Sequence, residues 1–433
     1  MRRCIVFLLF AMCLVPASGL PGAQSDSDFD HGFIAYSKTR STDPVAQLQE
    51  RLDSGKVTLE NDERWGYLPA ILKALNVPAS SQSLVFSKTS LQFARIVPSR
   101  PRSLYFNDDV YVGRIPGSNL LEFAAVDPKL GAVFYTFEEE EGAPPKFQRE
   151  VYACLLCHDS SATTNGVPGF MTLSVLPDAE GNASRTGDII TMTDQTPFAQ
   201  RWGGWYVTGS HGDMLHRGNT ITPPPIDVKR IDWSKGANLT SLSTRLDTSA
   251  YLTPTSDIVA LMVLTHQTRI HNLITRANYD VQSALIDEEK AYKGYTRPGE
   301  RYSPITMERI RGAVEPLVRG MFFANEAPLA SPVRGVSGFQ ADFEKGGVRD
   351  HRGRSLKDLD LDRRLLRYPL SYLIYTDAFE ALPSAAKDYF YTRAKEILSG
   401  ADASSSFQHL SQADRDAIRE ILKDTKPDFA KSL

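Results

Sequence analysis

Cys154-Leu155-Leu156-Cys157-His158 places two thiols three residues apart, with a histidine directly after the second. This C-x-x-C-H spacing lets both thiols add to the two vinyl groups of one haem while the histidine sits beneath the iron as proximal ligand. The chain has four cysteines, and Cys4 and Cys13 both fall in an apolar N-terminal stretch. With that stretch removed, Cys154 and Cys157 have no other thiol to pair with. Two other chemistries use the same spacing. A zinc site needs a second Cys or His pair at ligand spacing, and there is no second C-x-x-C. A thiol–disulfide centre belongs at the start of a helix after a strand, whereas this motif runs at once into a histidine and a polar loop. The expectation is one covalent haem on Cys154 and Cys157, with His158 on the iron.

A distal ligand would come from the stretch Arg201 to Asn219, which holds two of the four tryptophans and three iron-ligating side chains among its glycines. His211, flanked by Gly209 and Gly212, is the first candidate, followed by His216 and Met214. Glycines let a backbone approach a flat cofactor, Trp202 and Trp205 supply an apolar wall, and Arg201 has the planar fork that pairs with a propionate. The alternative is a buried aromatic loop whose histidines are hydrogen-bonded. His266 is a further candidate on a helix capped by Asp257, where it shares a face with Met262. His266 and His271 are five apart and cannot bind one metal from a straight helix. A core role stands beside ligation for each.

The elements that must position these residues can be read from periodicity. Phe29 to about Ser99 reads as mainly helical, with Trp65, Leu68, Ile71 and Leu72 at helical spacing before Asn76-Val77-Pro78. Tyr105-Phe106, Val110 to Val112, Leu121 to Val126 and Ala132 to Phe137 read as strands, with a hairpin at Asp127 to Gly131. After Pro144-Pro145 a helix is expected, with Phe147, Val151 and Leu155 on one face and Cys154 and His158 at its C-terminal end. Asp257 opens the longest helix, and Ala385 to Leu398 and Gln412 to Leu422 read as two short ones. The Arg- and Asp-rich stretch from Arg349 to Arg364 lacks the glycine and closing glutamate of a calcium loop, and reads as surface ion pairs.

Met1-Arg2-Arg3, the apolar run Cys4 to Val15 and the small residues Ala17-Ser18-Gly19 have the order of a secretory signal. That predicts an exported chain, periplasmic or secreted, cleaved near Gly19. The apolar run is too short to span a bilayer, bulky Met12 argues against a lipid anchor at Cys13, and no later segment approaches spanning length. A net charge of −3 over 433 residues leaves no electrostatic footprint for nucleic acid. The expected segments are 1–19 (signal), 20–145 (helical, then β-rich), 146–220 (haem segment) and 221–433 (helical).

Tyr105-Phe106-Asn107-Asp108-Asp109-Val110-Tyr111-Val112-Gly113, Cys154 to Ser160, Arg201 to His211 and Gly353-Arg354-Ser355-Leu356 together resemble a family of exported bacterial proteins known as cytochrome c domain-containing. The resemblance runs along most of the mature chain. It implies haem c and an extracytoplasmic compartment, and the family carries no assigned reaction. In cytochromes c the first helix ends in the attachment motif, and a proline in the loop beyond offers its carbonyl to the proximal imidazole. Here that residue would be Pro168, unless Gly166 to Gly169 is an ordinary turn. A weaker likeness is to di-haem cytochrome c peroxidases, which carry two C-x-x-C-H motifs where this chain has one. The expected fold is α+β, mostly helical, with a β-rich hairpin section and a cytochrome c-like haem-binding segment. The expected role is electron transfer with a redox partner protein. A peroxidase-like haem oxidoreductase and a haem-based sensor are the alternatives.

Overall fold

The alternating run Arg102 to Glu138 folds into the centre of an antiparallel sheet. In the computed structural model, which describes residues 30, 32–183, 189–222 and 228–432, six strands pair in chain order. They are β1 (Ser83–Val85), β2 (Arg102–Phe106), β3 (Val110–Arg114), β4 (Leu120–Asp127), β5 (Gly131–Glu138) and β6 (Phe147–Glu150). Short hairpins join β2 to β3 and β4 to β5, and Asp127 closes the second by accepting hydrogen bonds from the N–H groups of Lys129 and Leu130.

Register sorts the side chains onto two faces, since directly opposed residues point the same way. Tyr135 lies opposite Phe123, and with Phe137 they form one face. Against this face lie the edges of α1 (Pro44–Asp53) and α2 (Leu68–Ala74), where Tyr135 donates to Asp43 and Tyr67 meets Phe137 edge-on at 5.6 Å. The other face carries Arg102, Gly113, Glu122, Tyr111, Phe134 and Thr136.

That second face is covered by α3 (Tyr152–His158) and by α4 (Ile258–Asp287), a 30-residue helix that is buried nearly all round. Asp257 caps α4 as its sequence implies, accepting from Val259 N–H. The polar residues of α4 lock the turns of the sheet. Gln267 donates to the Asn107 carbonyl, His271 to that of Asp108, Asn278 to that of Pro128 and the Tyr279 hydroxyl to that of Leu130. Behind α4 pack α5 (Pro304–Met321), α6 (Phe339–Lys345), α7 (Asp377–Glu380), α8 (Ser384–Ser399), α9 (Gln412–Thr425) and α10 (Pro427–Ser432). A two-stranded ribbon of β7 (Leu173–Ser174) and β8 (Ile190–Thr191) completes the elements.

The chain is 39% helical and 13% strand, so the fold is mixed rather than mostly helical. Two expectations need correction. The stretch before Ser99 holds two short helices and β1, with Trp65 outside α2. Phe147 to Glu150 is not the start of the motif helix but the edge strand β6. Its backbone pairs with Phe134 to Phe137, and the Phe147 ring packs against Phe123 and Phe137 at 5.0 Å each.

The described residues up to Thr39 and those from Arg40 onward are separate units. In the first, Ser37 N–H donates to Asp30 at 2.6 Å. The second contains the expected boundaries at 145 and 220 within one unit. The expected signal segment lies outside the described residues. Among the described residues no helix is long and apolar enough to cross a membrane.

Candidate functional site

The short helix α3 begins directly after β6 and buries only Leu155. A helix advances about 100° per residue, which puts Cys154, Cys157 and His158 within an arc of about 100° and Leu156 opposite. Leu156 is 82% exposed. The two cysteines are free thiols, Cys157 exposed and Cys154 partly buried. Burial, then the carboxylates of Glu150 and Glu122, push the Cys154 thiol up to about 12.

His158 is fixed from two sides. Its ring stands on Phe134 at 4.6 Å, on the second face of the sheet. Its Nδ1 lies 2.9 Å from the Gly169 carbonyl, and Gly169 N–H returns a bond of 2.9 Å to the His158 carbonyl. A carbonyl can only accept, so Nδ1 carries the proton and Nε2 presents its lone pair. Burial pushes the imidazole pKa down, which keeps the ring neutral. The Pro168 carbonyl, expected to take this role, instead accepts from Ala132 N–H at 2.9 Å, and the acceptor is the next residue along.

The acceptor loop is held by α4. Asn272 accepts from Phe170 N–H at 2.8 Å and donates to the Phe170 carbonyl at 2.7 Å. Gly169 fits because it has no side chain, since a Cβ there would lie 2.5 Å from Asn272 Oδ1 and 2.9 Å from Thr164 Cβ. Sequence reasoning missed Asn272; a buried asparagine in an apolar helix was the available signal.

These residues fit a covalently held haem. Two thiols share an arc with an imidazole whose Nδ1 is tied and whose Nε2 is unbonded, the arrangement in which an outer hydrogen bond fixes the tautomer of a ligating histidine. The segment carrying Leu91 and Phe93, 51% and 58% exposed, is tied to the same sheet face through Ser90 to Glu122 and Gln92 to the Leu120 carbonyl. Among the described residues, no group of three or more His, Cys, Asp or Glu is arranged to hold a bare metal ion.

In the tryptophan-glycine segment most of the candidate side chains are engaged by neighbouring chain. Arg201 is buried and spends its fork on the carbonyls of Thr196 and Asp194. His211 and His216 cluster with Phe198, and Trp202 packs on both Phe198 and His216. His211 Nε2 accepts from Asn238 N–H at 3.0 Å, and the Met214 sulfur from Ala330 N–H at 3.3 Å. His216 is buried with neither ring nitrogen partnered, and burial brings its pKa down to about 3. Trp205 donates to the Leu173 carbonyl. The glycines serve chain-to-chain approach, with a Cβ on Gly203 falling 2.3 Å from the Val175 carbonyl and one on Gly209 2.4 Å from Ile258. His266 stacks on Phe323 at 4.2 Å and bonds Ser371.

A second polar feature escaped the sequence reading. Asp108, Asp109, Lys357, Tyr372, Thr376 and Asp377 line a cavity of about 150 Å³. Lys357 pairs with Asp108 at 2.7 Å and sits over the rings of Phe343 and Tyr372. Burial, then Asp108 and Asp377, push the Asp109 carboxyl up to about 7.

Comparison with protein-family models, curated proteins and solved structures found no match.

Proposed function

We propose that the protein is an exported c-type cytochrome that holds one haem on Cys154 and Cys157, with His158 as iron ligand. Its role is to pass single electrons to a redox partner protein. The observation that carries the reading is the His158 ring, neutral, with Nδ1–H donated to Gly169 and Nε2 unbonded, in the same helical arc as two free thiols.

Haem, when bound, supplies a one-electron ferric–ferrous couple. The chain's part is to bind, orient and shield. Cys154 and Cys157 anchor the group through two thioethers. Gly169 fixes the tautomer and rotation of His158, Asn272 fixes Gly169, and Phe134 supports the ring from the sheet side. Outer contacts of this kind are worth about 10–100-fold in metal affinity or activity.

A second reading has one specific observation behind it. His211 Nε2 and the Met214 sulfur accept backbone N–H groups, and His266 Nε2 bonds Ser371. Those engagements leave His216 as the unpartnered candidate and, unless it ligates, favour an open distal side, and with it a peroxidase-like oxidoreductase or a ligand-binding sensor.

The visible spectrum of oxidised and reduced protein, matured in a host that attaches c-type haem, separates the two. Low-spin iron with fast exchange to a small redox protein supports the carrier. High-spin iron with rapid peroxide turnover favours the second reading, and the absence of a haem spectrum contradicts both.

A further inference from the structure

We infer that the buried Arg102–Glu122 pair on the sheet beneath His158 is the charge-setting floor of the haem site, and that Gly113 is the residue that lets the pair form. The inference rests on the haem reading above and adds three residues to it.

Arg102 lies on β2 and Glu122 on β4, with β3 between them. Gly113 stands opposite Glu122 in register, so the arginine must cross it to reach the carboxylate. The guanidinium occupies the space above the glycine, where a Cβ would lie 2.4 Å from Nη2 and 2.6 Å from Nε. Nη2 then sits 2.6 Å from Glu122 Oε2, with the side chains only 18% and 11% exposed. Ser90 Oγ donates to the same carboxylate at 3.2 Å. Arg102 Nε is buried and has no acceptor.

The pair faces the motif. Thr136 is opposite Glu122, and Phe134, two residues earlier on the same face, carries the His158 ring. Glu150 bonds Thr136 at 2.8 Å and leads into α3 two residues later. Cys154 and His158 both feel the charges of Glu122 and Arg102. The Glu122 backbone is one strand from the His158 support and that of Arg102 is three, but the guanidinium reaches across Gly113 to the carboxylate, so the two charges lie side by side.

A buried ion pair is costly to assemble, and apolar residues of similar volume are often as stable or more so. Its place under the haem site supplies a use that packing does not. A buried negative charge favours the more positive ferric state and a positive charge the ferrous state. Side by side, the two charges largely offset each other in the pair as built. Removing either half alone leaves the other uncompensated, so the two removals must act with opposite sign.

The test is spectroelectrochemical titration of the full-length, haem-loaded protein, with haem attachment checked by intact mass. Glu122→Gln should shift the midpoint potential upward and Arg102→Gln downward. The double variant, which leaves no unpaired charge, should lie between the two single variants. Gly113→Ala should follow Arg102→Gln in sign because the guanidinium is displaced. If Arg102→Gln does not fold, Glu122→Gln against the double variant still decides, because restoring the arginine must raise the potential. Fully loaded variants with unchanged potentials, or with single-variant shifts of the same sign, overturn the inference. A chain that takes up no haem overturns the reading beneath it.

Discussion

Gly169 and His158 hold each other twice, through the imidazole and through the backbone, at 2.9 Å each. The contact spans eleven residues and reaches α4 through Asn272, so the ligand geometry is fixed by the longest helix of the fold and not by the motif alone. Gly169→Ala should therefore push the loop off Asn272. The expected cost is about 1–3 kcal/mol, read by denaturant unfolding, with an altered iron spectrum because Nδ1 loses its acceptor.

Asn272→Ala removes both bonds to Phe170 and leaves a buried N–H and C=O without partners. Each such group costs about 1–3 kcal/mol, so a loss of about 2–6 kcal/mol is expected by chemical denaturation. Mass spectrometry should still find haem attached, since both thiols are untouched. A variant as stable as the parent would mean that the clasp does not hold the loop.

Asp109 makes stability depend on pH. Its carboxyl ionises near the usual 3.8 in the unfolded chain and at about 7 in the fold, where burial, Asp108 and Asp377 oppose the charge and Lys357 favours it. Between those values the folded state keeps a proton that the unfolded state has released, so stability falls as pH rises. Asp109→Asn should be more stable than the parent at pH 7–8, by on the order of 1–2 kcal/mol, with the difference fading near pH 4. Parallel unfolding curves across this range check the sign.

Much of the sheet was legible because alternating apolar residues and the Asp127 to Gly131 turn are local signals, and the C-x-x-C-H motif is legible from spacing alone. The Phe147 segment was not. Phe147, Val151 and Leu155 fit a helical face, but the choice of strand depends on pairing with β5 and on the rings of Phe123 and Phe137, which are distant in sequence. The glycines after Arg201 looked like room for a cofactor, and their use in chain crossings is equally non-local. Asp109 gives no sign of its burial in a run of otherwise ordinary turn residues.

His211→Ala separates the two placements of that histidine. With Nε2 taken by Asn238 and the ring among Phe198 and His216, the variant should lose stability by about 1–3 kcal/mol and leave the iron spectrum as it was. A change from low to high spin would return His211 to the distal position.

The most direct test of the central claim is the intact mass of the denatured protein, purified from a host competent in c-type haem maturation. The account predicts one haem retained through denaturation, lost when Cys154 and Cys157 are both replaced by serine. A mature chain at apoprotein mass from that host would contradict it.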